Sequence, residues 1–147
     1  MDQGINKGAI LIVDDSADDA QLLVRALNKL RAERTVIVLN GGSAAIDYLV
    51  GRNEYADREK YPAPAILFVD LRMPPPDGFD VLAFLSSQPQ LRRPLTVVLS
   101  GLLHAKEIQR AYELGAHTYL AKPIQPEDLR NLVAFFGRYW RTSPVTR

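Results

Sequence analysis

Five short apolar runs punctuate the chain, and between them hydrophobic residues recur at helical spacing. The runs are GAILIVDD (8–15), TVIVLN (35–40), AILFVD (65–70), LTVVLSG (95–101) and TYLAKP (118–123). Their branched apolar residues are nearly continuous rather than alternating with polar ones, which predicts strands buried on both faces. The intervening segments predict helices over 16–30, 44–50, 78–87, 105–115 and 126–140. In the first, Ala20, Leu23, Val24, Leu27 and Leu30 share a face, and Ser16 with Asp19 suggests a capping box. Gly115 stops the fourth helix, and Pro126 stands near the start of the last. Segment 51–64 is charged, ends in two prolines and reads as a surface loop with an extra helical turn.

Strand and helix alternate five times. Buried strands joined by helical crossovers imply a parallel sheet covered on both faces, and right-handed crossovers favour a doubly wound α/β fold in three layers. We expect one domain over residues 1–147, with its core at about 8–140 and a frayed tail over 141–147.

The polar residues at the strand ends change the picture from fold to site. The first run closes on Asp14 and Asp15, the third on Asp70 and the fourth on Ser100, while Lys122 follows the fifth. In an open parallel sheet these ends share one edge, where sites form at a topological switch point. Strand order 2-1-3-4-5 makes the four polar-ended strands contiguous and sends the second strand to the margin. Clustered carboxylates repel and raise one another's pKa, which a hard divalent cation relieves. Magnesium suits a few carboxylates plus waters, whereas calcium needs more oxygens. Zinc favours histidine or cysteine; His104 and His117 fall outside the cluster, and the chain has no cysteine.

Composition narrows the remaining classes. The 147 residues are 47% hydrophobic, and 18 basic side chains balance 17 acidic ones to a net charge of +1. Nothing global points to nucleic acid or an anionic membrane. The absence of cysteine excludes disulfides and thiolate chemistry. The N-terminal apolar run is too short for a signal peptide or a membrane span. We expect a soluble cytoplasmic domain.

The pieces VDDS (13–16), VDLRMPPPDG (69–78), VLSG (98–101) and YLAKP (119–123), in this order, closely resemble the receiver domains of two-component response regulators. The resemblance spans roughly residues 8–140 and implies the flavodoxin/CheY-like fold. The 51–64 connection and the short tail resemble single-domain regulators that partner phytochrome-type histidine kinases. The resemblance implies that Asp70 accepts a phosphoryl group, that Asp15 binds Mg2+ directly and Asp14 partly through water, and that the backbone carbonyl of Arg72 adds a ligand. Ser100 and Lys122 would hold phosphoryl oxygens, Gly101 would leave phosphoryl access open, and Tyr119 matches the switch aromatic. The Lys122–Pro123 bond would be cis, accessible because proline follows. Ser100 stands where threonine is commoner and keeps the hydroxyl. Arg72 and Leu102 border the site and are expected to tune dephosphorylation.

Partners follow from the same resemblance: a sensor histidine kinase and, as an open alternative, a histidine phosphotransfer protein. The chain is expected to be a phosphoacceptor rather than an enzyme on external substrates. Phe135 and Tyr139 lie off the inward stripe of Leu129, Leu132, Val133, Phe136 and Trp140. They suggest a homodimer through the fourth helix, fifth strand and last helix, although burial against the chain's own core serves equally. Taken singly, each polar residue has a plainer reading: Asp14, Asp15 and Ser16 as helix caps, Asp70 as a turn acid, Ser100 as a strand-end hydroxyl, Lys122 as a surface lysine and Tyr119 as packing. Two other functions remain open, a Mg2+-dependent phosphohydrolase with an aspartyl-phosphate intermediate and a phosphorylation-independent adaptor. The first wants a second acid two residues after its nucleophile, where this chain has Arg72. A flavodoxin-type cofactor binder lacks its glycine-rich phosphate loop here.

Overall fold

The computed structural model describes residues 8–101 and 104–140. The predicted tail and Leu102 lie outside these described residues. Five parallel strands, β1 (Ala9–Val13), β2 (Val36–Leu39), β3 (Pro64–Asp70), β4 (Leu95–Ser100) and β5 (Thr118–Ala121), form one sheet in the order β2-β1-β3-β4-β5. This is the doubly wound arrangement expected from the pattern of buried runs. The helices are α1 (Ala17–Lys29), α2 (Gly42–Val50), α3 (Gly78–Ser86), α4 (Ala105–Glu113), α5 (Pro126–Phe135) and α6 (Gly137–Trp140). None of them is long and apolar enough to cross a membrane.

The period of two along each strand divides the core into two halves. Leu11, Val13, Leu67, Val69 and Val98 face α2, α3 and α4, meeting Ala45, Tyr48, Leu82, Leu85 and Ala111. Ile10, Ile12, Ile66, Phe68, Val97 and Leu99 face the other side, meeting Leu23 and Leu27 of α1, Leu129 and Leu132 of α5, and Trp140. Every residue of β1, β3 and β4 is buried. Each fully buried branched side chain contributes about 1.5–3 kcal/mol relative to exposure. The central strands therefore hold the sheet edge rigidly beneath whatever chemistry stands on it.

Three local features depart from the pattern. The last helix is broken: Phe136 leaves helical geometry at φ −106°, ψ 39°, and α6 resumes at Gly137. The break lets Trp140 pack at 6.1 Å from Phe68, and the Tyr139 carbonyl accepts from Arg34 Nε at 2.6 Å. Of the predicted exposed pair, Phe135 is 81% exposed, whereas Tyr139 is half-buried against the core. Second, α2 begins at Gly42, where a Cβ would stand 2.2 Å from the Pro76 carbonyl oxygen. Third, the helical turn expected in segment 51–64 is present as a 3-10 turn, Asn53–Tyr55, but it buries Tyr55 rather than standing in solvent.

Candidate functional site

Asp14 leaves the end of β1, Asp70 is the last residue of β3, and Ser100 is the last of β4. The parallel register sets these ends side by side: Val13 pairs with Val69, Asp70 with Leu99, and Ser100 with Ala121. Carboxylate oxygens of Asp14, Asp15 and Asp70 all lie within 4.8 Å of one another. Asp14 and Asp70 are buried, while Asp15 is exposed at the rim. Three hard oxygen donors at that spacing, on a partly open edge, fit a hard divalent cation that retains several waters.

Lys122 enters from the segment after β5. Its Nζ lies 2.7 Å from Asp14 Oδ2 and donates to Asp19 Oδ2 at 3.0 Å and to Asp70 Oδ2 at 3.1 Å. The other oxygen of Asp70 accepts from the Arg72 amide at 3.1 Å. Burial raises the pKa of Asp70, and the nearby Asp14 carboxylate adds to this, so the bonds from Arg72 and Lys122 offset the shift only in part. For Lys122, burial acts downward, but the bonds to Asp14 and Asp19 and the charge of Asp70 outweigh it and drive the pKa up. Lys122 is thus one cation in contact with three acids, Asp14, Asp19 and Asp70.

The loop after Asp70 is shaped to turn back beside it. The Gly78 amide donates to the Leu71 carbonyl at 3.2 Å. A Cβ on Gly78 would stand 2.4 Å from the Asp70 carbonyl oxygen, so only glycine fits this return. Asp77 and Asp80 then start α3 with a complete capping box.

The remaining predicted residues fall around this core. Ser100 is buried, and its carbonyl accepts from the Lys122 amide at 2.9 Å. Open space surrounds the position a Gly101 Cβ would take. The Lys122–Pro123 peptide is cis, as is Pro75–Pro76. Tyr119 is 38% exposed and lines a groove of about 590 Å3 with Phe135 and Phe136. His104 and His117 stand apart from the acids: His104 precedes α4, and His117 Nδ1 accepts from the Thr96 amide at the far end of β4.

Sequence reasoning missed three participants. Asp19, assigned to a helix cap, reaches Lys122 instead. Glu107, on the first turn of α4, pairs with the Arg72 guanidinium and so ties the loop after Asp70 to α4. Tyr55, from the segment read as a solvated loop, walls a recess of about 440 Å3 that also touches Asp14, Asp15 and Val38. Only the tyrosine carries a signal in the sequence, an aromatic residue amid charges; the two acids look like ordinary first-turn helix acids.

Comparison with known proteins agrees with this geometry. The chain matches the family described as the response regulator receiver domain over residues 10–134. It is 33% identical to the response regulator Rcp1 of Synechocystis sp. over 131 residues, covering 89% of this chain and 87% of Rcp1. The Mn(2+)-bound form of Rcp1 superposes with a TM-score of 0.74 at 31% identity, covering 95% of this chain and 99% of that one. The response regulator RPA3017, described in red light signaling of R. palustris, gives a TM-score of 0.77 at 30% identity, with 95% and 99% covered. The phosphorylated cyanobacterial phytochrome response regulator RcpA gives 0.75 at 29% identity, with 96% and 99% covered. With its strand order, its rim of acids and its match across most of the sequence, the chain belongs to the response-regulator receiver domains and is related to the phytochrome response regulators.

Proposed function

We propose that this protein is a phosphorylation-activated switch in which Asp70 accepts a phosphoryl group from the phosphohistidine of a sensor histidine kinase. One observation carries the reading: oxygens of Asp14, Asp15 and Asp70 converge within 4.8 Å while Lys122 bonds to Asp70. The first two acids, Asp70 itself and the Arg72 backbone carbonyl would hold Mg2+. When bound, the metal neutralises charge on the phosphoryl oxygens. A carboxylate oxygen of Asp70 attacks phosphorus, the bond from phosphorus to the histidine nitrogen breaks, and an acyl phosphate results. Lys122 offers its ammonium to the phosphoryl oxygens as a point charge. Water later attacks the acyl phosphate and returns the free carboxylate, so the switch is reversible.

In the switched state the Ser100 hydroxyl donates to a phosphoryl oxygen and Tyr119 turns inward, changing the face formed by α4, β5 and α5. That face, with Phe135 exposed on it, is the proposed homodimer surface. The Mn2+-bound and phosphorylated relatives support the metal and phosphoryl roles, and the phytochrome relatives support a phytochrome-type kinase partner. A histidine phosphotransfer protein is a further partner of the same chemistry, and the setting is cytoplasmic. The reading is of a phosphoacceptor, not of an enzyme on external substrates. At the position where a phosphohydrolase of the related mechanism wants its second acid, Arg72 pairs with Glu107.

The test is intact-mass measurement after incubation with Mg2+ and acetyl phosphate. One labile phosphoryl group is expected, diminished without Mg2+ and absent in Asp70→Asn. Equal labelling of Asp70→Asn refutes the acceptor assignment.

A further inference from the structure

Lys122 meets three carboxylates, and one of them stands outside the three-acid cluster. Asp14 and Asp70 belong to it; Asp19, 3.0 Å from Nζ, does not. An ammonium has three N–H donors, and three carboxylates surround this one.

The local sequence around Asp19 shows how its carboxylate comes to point there. Ser16 caps α1, and its Oγ accepts from the Asp19 amide at 3.2 Å. In a reciprocal box the Asp19 carboxylate would return to the Ser16 amide. That amide donates instead to Asp14 Oδ1 at 2.9 Å. The Asp19 carboxylate is thereby released from the cap. The same chain carries the contrasting case: Asp77 and Asp80 make both bonds of their box, at 2.9 and 2.8 Å, and the Asp80 carboxylate is consumed by it. The difference between the two helix starts is the acid that precedes the first one.

We infer that Asp19 is a positioning residue for Lys122. The inference rests on the reading of Asp70 as phosphoacceptor and deepens it. Metal binding and phosphorylation both draw on Asp14 and Asp70, the other two partners of the ammonium. Asp19 belongs to neither process and keeps its bond. It holds the flexible lysine stem from the α1 side, so the remaining N–H groups face the reacting edge without a conformational search. Asp19 touches no reacting atom and acts only through Lys122. Its side chain is 43% exposed, so water moderates the interaction, and the effect on rate is modest.

Four forms of the full chain test this: wild type, Asp19→Asn, Lys122→Ala and the double variant, phosphorylated with acetyl phosphate at saturating Mg2+. Mn2+ affinity is measured on each by paramagnetic resonance, and the Lys122 ammonium signal by NMR. Asp19→Asn is expected to slow phosphorylation about two- to fivefold, as a partly exposed charge pair allows. It should leave Mn2+ affinity within about twofold, shift or broaden the Lys122 ammonium signal, and change nothing further in the Lys122→Ala background. An unchanged rate with an unchanged ammonium signal overturns the inference, as does an equal loss in both backgrounds. A fall in Mn2+ affinity that tracks the rate makes Asp19 a metal ligand and also overturns it. A wild-type chain that accepts no phosphoryl group refutes the Asp70 reading instead, an outcome distinct from a labelled wild type that Asp19→Asn matches.

Discussion

Two partly buried cations organise opposite characters in this molecule. Lys122 sits among three carboxylates at the strand ends. Arg58 sits among neutral oxygens: its Nη2 donates to the carbonyls of Tyr48 and Leu49 at 2.7 and 3.2 Å, and its Nη1 to that of Tyr61 at 3.1 Å. The guanidinium also lies 5.3 Å from the centre of the Tyr48 ring. It closes the C-terminus of α2, where orphan carbonyls and the helix dipole favour a cation. Gly51 gives it room: φ is +79°, and a Cβ there would meet Arg58 Nε at 2.7 Å. Tyr48, Tyr55 and Tyr61 pack with ring centres 5.0–6.1 Å apart beneath it.

The contrast separates a finished interaction from an unfinished one. Around Arg58, neutral carbonyls accept from both Nη atoms, and burial alone lowers the pKa of the guanidinium. Around Lys122 the acids outnumber the cation, and burial with like charge holds Asp70 above its ordinary pKa. An edge with surplus buried negative charge is a place where a further cation binds with gain. At the end of α2 a cation is held by neutral carbonyls, whereas the site leaves surplus negative charge to what arrives.

Four experiments break or sharpen that comparison. The largest effect is expected from Asp70→Asn, which removes phosphorylation outright in the intact-mass assay while the fold persists by circular dichroism. Next, Lys122→Ala leaves Asp14 and Asp70 uncompensated and should lower unfolding free energy by about 2–4 kcal/mol without metal. Added Mg2+ should restore most of the loss in urea titrations. Arg58→Ala should cost about 1–2 kcal/mol through the lost cap and ring contact, with no recovery in Mg2+. Rescue of Arg58→Ala by Mg2+, or indifference of Lys122→Ala to it, would break the distinction.

The third experiment uses alkali. Burial pushes the Tyr48 hydroxyl from 10.0 up to about 12. A pKa raised on folding contributes stability that is fully present below the unfolded value and is lost as pH rises through the folded one. Wild-type stability should therefore fall between pH 10 and about 12. Tyr48→Phe, which loses the 2.8 Å bond to the Pro62 carbonyl, should show a shallower fall in the same urea titrations. The smallest effect belongs to the exposed Arg72–Glu107 pair. A double-mutant cycle of Arg72→Ala and Glu107→Gln should return a coupling below about 1 kcal/mol in thermal unfolding.

The sequence makes the sheet and most of the rim readable, and for one reason. Strands buried on both faces are written as unbroken branched runs, and a parallel sheet places all their C-terminal ends on one edge. Asp14, Asp70, Ser100 and Lys122 could therefore be collected without knowing any contact. What stayed hidden depends on residues far apart in the chain. Gly42 reads as punctuation before a helix, yet it is the helix's first residue and lies so close to the Pro76 carbonyl that a Cβ does not fit. Tyr48, Tyr55 and Tyr61 have no periodicity to mark them as one cluster. The helix break at Phe136 serves Trp140, which must reach Phe68 on β3. Asp19 follows a capping serine at the right spacing, and only the bond between Asp14 and the Ser16 amide diverts it.

The most direct measurement is reductive trapping. The protein is phosphorylated with acetyl phosphate and Mg2+, reduced with borohydride, digested and sequenced by tandem mass spectrometry. An acyl phosphate on Asp70 predicts conversion of that one residue to homoserine. Homoserine at Asp14, Asp15 or Asp19, or none in a chain whose intact mass shows a phosphoryl group, would contradict it.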